Sequence, residues 1–200
     1  NGSTILTEAS QYTRLGWKVP VGSDGWTVGA SASQMNYTAL QFQETVAPTG
    51  SSETNGLEGT YPLIRSRSRN LYVSFAWDDK RFLNFSEGQI KSDYSSRLRT
   101  VSFYGNSFDE LGGGGSNTGN LSFVKGYLNL DHSPNAPEIA TTTQTAGVFN
   151  KIRYAINRQQ VINSNLSLIG SLSGQLSRSG KNLDSSEKFY LGGSSGLRAY

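Results

Sequence analysis

Side chains along much of this chain alternate between apolar and polar with a period of two residues. A β-strand turns successive side chains to opposite faces, so this period marks strands with one apolar and one polar side. Between Asn165 and Ser177, Leu166, Leu168, Gly170, Leu172, Gly174 and Leu176 fall on one side. Ser167, Ser171, Ser173, Gln175 and Ser177 fall on the other, with Ile169 the one exception. Leu71, Val73, Phe75 and Trp77 oppose Tyr72, Ser74, Ala76, Asp78 and Lys80. Ile152, Tyr154 and Ile156 oppose Lys151, Arg153, Ala155 and Asn157, and Leu15, Trp17, Val19 and Val21 oppose Arg14, Gly16, Lys18 and Pro20. Stretches with apolar residues at i, i+3, i+4 and i+7 are missing, so no helix is expected. The pattern predicts eight strands, near residues 12–21, 25–38, 55–64, 69–83, 93–108, 117–130, 147–160 and 164–178. Around Leu98–Tyr104 and Leu121–Leu128 apolar residues occupy both faces, which a bulge or a displaced boundary would explain.

No run reaches the 18 or so apolar residues of a transmembrane helix. A barrel wall escapes that test, because only alternate residues meet lipid. Charged residues make up 16% of the chain, below the usual quarter of soluble domains, and the net charge is only +3. The sequence has no cysteine, which excludes disulfides and thiolate metal sites. A secreted β-solenoid or adhesin would share this composition. The chain opens on Asn1 without a leader-like segment, as expected of a mature protein or a piece of a longer one.

The connections add a second constraint. Gaps at 21–25, 65–68 and 161–163 are short, 109–116 is intermediate, and 40–54, 84–92 and 131–146 are long. Alternation of short turns with long loops is the layout of an up-and-down barrel in an outer membrane. Asp24-Gly25 is expected to supply a left-handed turn pair.

Few residues suggest chemistry. His132, the one histidine, lies among Asp131, Ser133 and Pro134 as in a polar loop. The acids Asp78 with Asp79, Asp109 with Glu110, and Glu187 read as solvated carboxylates at strand ends, a weak basis for a glycosidase. The glycines at 112–115 lead into a strand pattern and so read as a flexible turn, not a phosphate cradle. Asn-x-Ser/Thr triplets at Asn36, Asn84, Asn120 and Asn165 read as chance matches. Arg14, Lys18, Lys80, Lys151 and Arg153 fall on polar strand faces and would line the water-filled lumen of a barrel. On the lipid face each would cost about 2–4 kcal/mol at the midplane.

The most specific stretch is Ser185-Ser-Glu-Lys-Phe-Tyr-Leu-Gly-Gly-Ser-Ser-Gly-Leu-Arg-Ala-Tyr200, following Gly174-Gln175. It resembles the two-partner secretion transporters, the haemolysin secretion/activation family. Phe189, Leu191, Gly192 and Gly193 match that family's "sseqF-x-LGG" element. Leu197, Arg198, Ala199 and Tyr200 stand at its "VRGY" element, with Leu for Val and Ala for Gly as departures. Leu15-Gly-Trp-Lys-Val-Pro-Val-Gly with Gly25-Trp26 resembles the family's "YSVPLG…GW" hairpin. Tyr61-Pro-Leu-Ile-Arg-Ser-Arg resembles its "RPLYRSR" turn, and Phe149-Asn-Lys-Ile-Arg-Tyr with Arg158-Gln-Gln resembles "FTKLRYSLSRQQ". The set runs in family order along essentially the whole chain.

The resemblance implies an all-β fold, an antiparallel up-and-down transmembrane β-barrel. In the family it has sixteen strands and follows periplasmic POTRA domains. Residues 1–200 would then be a partial barrel domain of about eight central strands, ending inside the sixth extracellular loop, with POTRA domains and closing strands absent. Phe189, Leu191, Gly192, Gly193, Leu197, Arg198 and Tyr200 would form a loop motif inside the lumen. The implied function is translocation of an unfolded partner exoprotein across the outer membrane of a Gram-negative bacterium. The implied partners are that exoprotein and lipid. No enzymatic activity, cofactor, metal, nucleotide or nucleic acid is expected. A barrel insertase of the same superfamily, a porin-like channel and a secreted β-rich adhesin domain remain the alternatives.

Overall fold

The computed structural model describes residues 2–6, 10–38, 47–178, 180 and 182–189. Nine strands follow one another: β1 Gly2–Leu6, β2 Ser10–Val21, β3 Trp26–Thr38, β4 Thr49–Arg65, β5 Arg69–Ser86, β6 Gln89–Asp109, β7 Gly115–Asn129, β8 Gly147–Asn163 and β9 Leu166–Ser177. Each pairs antiparallel with its neighbours in sequence. The sheet order is β1 to β9, with no ladder joining the first strand to the last. No helix among the described residues is long and apolar enough to cross a membrane.

The eight expected strands are present as β2 to β9, and β1 is an addition. Five residues are too few for a period of two to stand out. Two long gaps differ from expectation. Residues 84–92 are not a loop, because β5 and β6 continue to a two-residue turn at Glu87-Gly88 with φ of 53° and 75°. Positive φ at both central residues is the type I′ geometry that suits strand twist, and Glu is unusual there. Residues 49–54, expected in a gap, begin β4. At the β2–β3 turn Gly22 and Gly25 have positive φ and Asp24 does not, so the expected Asp24-Gly25 pair is a Gly22/Gly25 pair. The 131–146 loop carries a six-residue helix, α1 Ala136–Thr141, started by Pro137.

Register fixes the faces. Residues directly opposite on adjacent antiparallel strands share a face. One row runs Trp17, Ala30, Leu57, Trp77, Arg99, Lys125, Asn150. Lys151, next along from Asn150, therefore points to the other side from Trp77. A second row links Leu71 through Gly105, Gly119 and Ile156 to Leu172. Leu71, Val73, Phe75 and Trp77 thus share a face with Leu166, Leu168 and Leu172, as the alternation predicts. This outer face is solvent-exposed and apolar: Trp17, Leu57, Phe75, Trp77, Phe123 and Leu172 are all exposed.

No bulge falls within Leu98–Tyr104 or Leu121–Leu128. The β6–β7 register is unbroken, and the β5–β6 register shifts only at Asn84/Phe85. Leu98, Val124 and Leu128 are simply inner-face core. With Leu130, Phe149 and Leu183 they form the buried cluster, and Ile139 of α1 packs against it. Phe149 lies across Gly126 on the neighbouring strand, where a Cβ would collide with the ring.

The 109–116 turn is held firmly, against the expectation of a flexible glycine run. Arg158 forks onto both oxygens of Asp109 at 2.7 and 2.9 Å and donates to Asn117 Oδ1 at 2.7 Å. Gln160 Nε2 donates to the carbonyls of Leu111 and Gly114 at 2.7 and 3.1 Å. Planar donors of this kind reward fixed geometry.

Edge strands with unpaired N–H and C=O groups are templates for association, and here the edges belong to a sheet with one apolar face. Expressed alone and without detergent, the chain should sediment as an aggregate while keeping a strand-type far-UV circular dichroism spectrum in detergent. A monodisperse monomer in detergent-free buffer would contradict this.

Candidate functional site

After β9 the chain turns back over the inner face, the one carrying Leu98 and Val124. Leu183 enters the buried cluster. Asp184 accepts from the backbone N–H of Ser186 at 2.9 Å and closes a single 3-10 turn over Ser185–Glu187. Asn182 donates to the carbonyl of Thr143 at 3.3 Å, tying this segment to the 131–146 loop.

Glu187 is the anchor. Its side chain is 2% exposed and pairs with Lys151 at 2.6 Å and with Lys80 at 3.1 Å. Lys151 Nζ, on a side chain 5% exposed, also donates to the Glu187 carbonyl at 2.8 Å. Gln175 Nε2 donates to the same carbonyl at 3.1 Å. Side chains of β5, β8 and β9 thus converge on one residue of the returning segment. The carboxylate is held by two cations and the carbonyl by two donors, so the buried charge is compensated and hydrogen-bonded as burial requires. An open cavity of about 450 Å3 lies beside it, reached by Asp78, Thr100, Arg153 and Phe189.

All five basic residues expected on one polar face lie there. Arg14, Ser33, Thr54, Lys80, Ser96 and Leu128 form one row. Lys18, Gly29, Glu58, Ala76, Thr100, Val124 and Lys151 form another. Arg153 stands opposite Ser122 and Gln175 on the same face. Lys18 pairs with Glu58 at 3.0 Å, both half exposed. Of the expected loop motif, Phe189 is exposed at the cavity. Leu191, Gly192, Gly193, Leu197, Arg198 and Tyr200 lie outside the described residues.

The acids depart from the sequence reading. Glu187 is buried, not solvated. Asp78 and Asp79 sit within β5, not at its end, and face opposite ways. Asp79 lies on the outer face with Arg97 at 3.2 Å. Asp109 is bound by Arg158, while Glu110 is exposed. His132 is exposed in its loop. Asn36, Asn84 and Asn120 lie within strands and Asn165 in the β8–β9 turn. Glu187 is the functional residue that sequence reasoning missed. Its signal was the apolar inner face of β6 and β7, which requires a cover.

The model of the family described as haemolysin secretion/activation protein ShlB/FhaC/HecB matches residues 5–200. A search of curated proteins gave no significant match. Among solved structures the chain resembles CdiB from Escherichia coli, with a TM-score of 0.75 and 19% identity over 94% of this chain. The likeness covers 34% of that chain, so the present chain spans about a third of its length. The fold is all-β, part of an antiparallel up-and-down transmembrane β-barrel that does not close among the described residues.

Removing one partner of a buried pair costs about 3–5 kcal/mol, because the other charge stays buried and uncompensated. Glu187→Ala should therefore free the 182–189 segment. With no native cysteine, a Ser185→Cys probe reports this directly. Its labelling by a bulky thiol reagent should rise about tenfold or more in Glu187→Ala, and less in Glu187→Leu/Lys151→Met, where the buried Lys151 charge is gone and only Lys80, the more exposed of the two lysines, has lost its partner. Equal labelling of all three would show that the ion pair does not hold the segment.

Proposed function

The chain belongs to the haemolysin secretion/activation protein ShlB/FhaC/HecB family, and from that premise we propose that it is the central wall of an outer-membrane transporter for a partner exoprotein in two-partner secretion. The inner face is then the lumen, and the outer face meets lipid. Nine strands would be the third to the eleventh of sixteen, one more than the sequence pattern predicts. Residues 131–146 and the segment after β9 would lie on the extracellular side, where longer connections belong. POTRA domains and closing strands would come from the rest of the protein. The site is the outer membrane of a Gram-negative bacterium, and no catalytic step is involved.

The observation that carries this reading is the return of residues 182–189 onto the inner face, with Glu187 pinned by Lys80 and Lys151. A transporter whose sixth loop occupies the lumen needs such an internal anchor, and the anchored residue lies within the stretch that resembles the family's loop motif. Arg14, Lys18, Lys80, Lys151 and Arg153 give that lumen a basic wall, solvated by water and opposed by Glu58, Asp78 and Glu187. Arg198, eleven residues beyond Glu187, would pin the loop tip through a bidentate carboxylate pair on a later strand.

The test is export by the full-length transporter carrying Arg198→Ala. Secretion of the exoprotein should fall about tenfold or more, the effect of losing roughly 1.4 kcal/mol or more from the pinned state. The barrel should still reach the outer membrane in a heat-modifiable, folded form. Unchanged secretion together with unchanged loop accessibility would remove the loop-motif assignment and leave an unspecified outer-membrane barrel.

A further inference from the structure

We propose that Arg99, Lys125 and Arg97 form an external site for a phosphorylated lipid headgroup, in the leaflet at the end of the sheet that carries residues 131–146. The proposal rests on the reading of the outer face as the lipid face. Arg99 on β6 stands directly opposite Lys125 on β7, on the outer face. Both are exposed. Like charges directly across a ladder repel one another, and a bound anion would offset that repulsion. Arg97, two residues from Arg99 on the same face, adds a third cation. Asp79 pairs with Arg97 at 3.2 Å, and it is the only carboxylate in these two rows among the described residues. Arg81, one row further out and opposite Glu53, is satisfied by Asp93 of the row beyond at 2.9 Å. A net positive charge of two is left at the Arg97/Arg99/Lys125 cluster.

Its position along the strands decides the ligand class. The row that holds Arg99 and Lys125 also holds Trp17, Leu57 and Trp77. The next row outward holds Leu15, Ala32, Asn55, Asp79, Arg97, Tyr127 and Val148, and the row beyond it, Thr13, Gln34, Glu53, Arg81, Ser95 and Asn129, is polar throughout. On β5 the residues on the other side of Trp77 are Phe75, Val73 and Leu71. The cations therefore lie at the edge of the apolar band, flanked by exposed Trp77 and Tyr127. Aromatic rings at such an edge mark the headgroup level of a bilayer. A cation there costs little, against several kcal/mol at the midplane. Anionic groups available at that depth are the phosphates of lipid headgroups, and clustered Arg and Lys recognise phosphate by charge-assisted hydrogen bonds.

The experiment uses the full-length transporter in non-ionic detergent, titrated with diphosphoryl lipid A or with its dephosphorylated form, and read by tryptophan fluorescence. The diphosphoryl form should bind at least about tenfold tighter. Arg99→Gln/Lys125→Gln should abolish the difference, and so should raising salt to about 0.5 M. Arg14→Gln/Arg153→Gln, on the inner face, should preserve it. Equal affinity of the wild type for the two lipids overturns the proposal without recourse to any variant. So does a preference that survives Arg99→Gln/Lys125→Gln or disappears in the inner-face variant. Export measured on the same proteins separates the two ideas. Secretion with no headgroup preference removes the lipid site alone, whereas loss of membrane insertion and secretion in the wild type removes the transporter reading beneath it.

Discussion

Ladder register is the constraint on which the rest of this structure depends. A strand has a side-chain period of two, so a slip of one residue would exchange its faces. Nine strands in unbroken sequence order propagate one choice of facing from Trp17 to Leu176. Each short turn holds that choice. Ser66 bonds Arg69 on both its N–H and carbonyl sides, Glu87-Gly88 reverses β5 into β6, and Arg158 with Gln160 fixes the β6–β7 turn. A wall with apolar residues outward leaves the cations of Lys18, Lys80, Lys151 and Arg153 inward, and that concentration of charge is what a returning segment can use.

The inner face answers this excess charge in two ways. Toward β2–β4, Lys18 and Glu58 meet while half exposed, a geometry worth little in water. Toward β5–β9, Lys151 meets Glu187 in near-complete burial, and the partly exposed Lys80 joins them. The second arrangement is sensitive to loss of a partner, because desolvation makes a lone charge costly. It is also specific, since the backbone carbonyl of Glu187 is read by Lys151 and Gln175 as well as its carboxylate. A segment shifted by one residue would offer a different carbonyl and an outward-pointing acid. The ion pair is therefore a register mark for the loop, as the ladder is for the strands.

The faces were legible in the sequence because one apolar and one polar face impose opposite preferences on alternate residues. Leu71, Val73, Phe75 and Trp77 could be assigned to one side, and Arg153 to the other, without knowing any neighbour. The family resemblance likewise needed no coordinates. β1 was not legible because five residues carry too little period. The Glu87-Gly88 turn was hidden because its polar flanks, Asn84 to Ser92, look like loop until ladder partners are known. Glu187 was hidden for a different reason. Its partners are distant by 36 and 107 residues, and no local pattern marks a long-range buried pair. The doubly apolar β6 and β7 were the available clue, and a bulge was the wrong explanation for them. Apolar residues on the inner face of these strands mean a protein cover, which Leu183 and Ile139 supply.

That inner cover has an energetic cost of removal. Lifting residues 182–189 off the wall exposes Leu183, at about 1.5–3 kcal/mol for a side chain of its kind. It also separates Glu187 from two lysines, at about 3–5 kcal/mol if no water re-solvates the charges. A wet lumen reduces the second term, so a total near 5 kcal/mol is the reasonable scale. An open state at that level is populated roughly once in 10^4 molecules, since about 5.5 kcal/mol separates states by that ratio. A ligand that lifts the segment must bind the lifted state better than the covered one by a comparable free energy, because a ligand shifts an equilibrium only by its differential affinity. The surface uncovered by lifting is an apolar patch at Leu98, Val124 and Leu128 beside two lysines. A segment pairing a carboxylate with apolar residues matches that surface contact for contact, as Glu187 and Leu183 do.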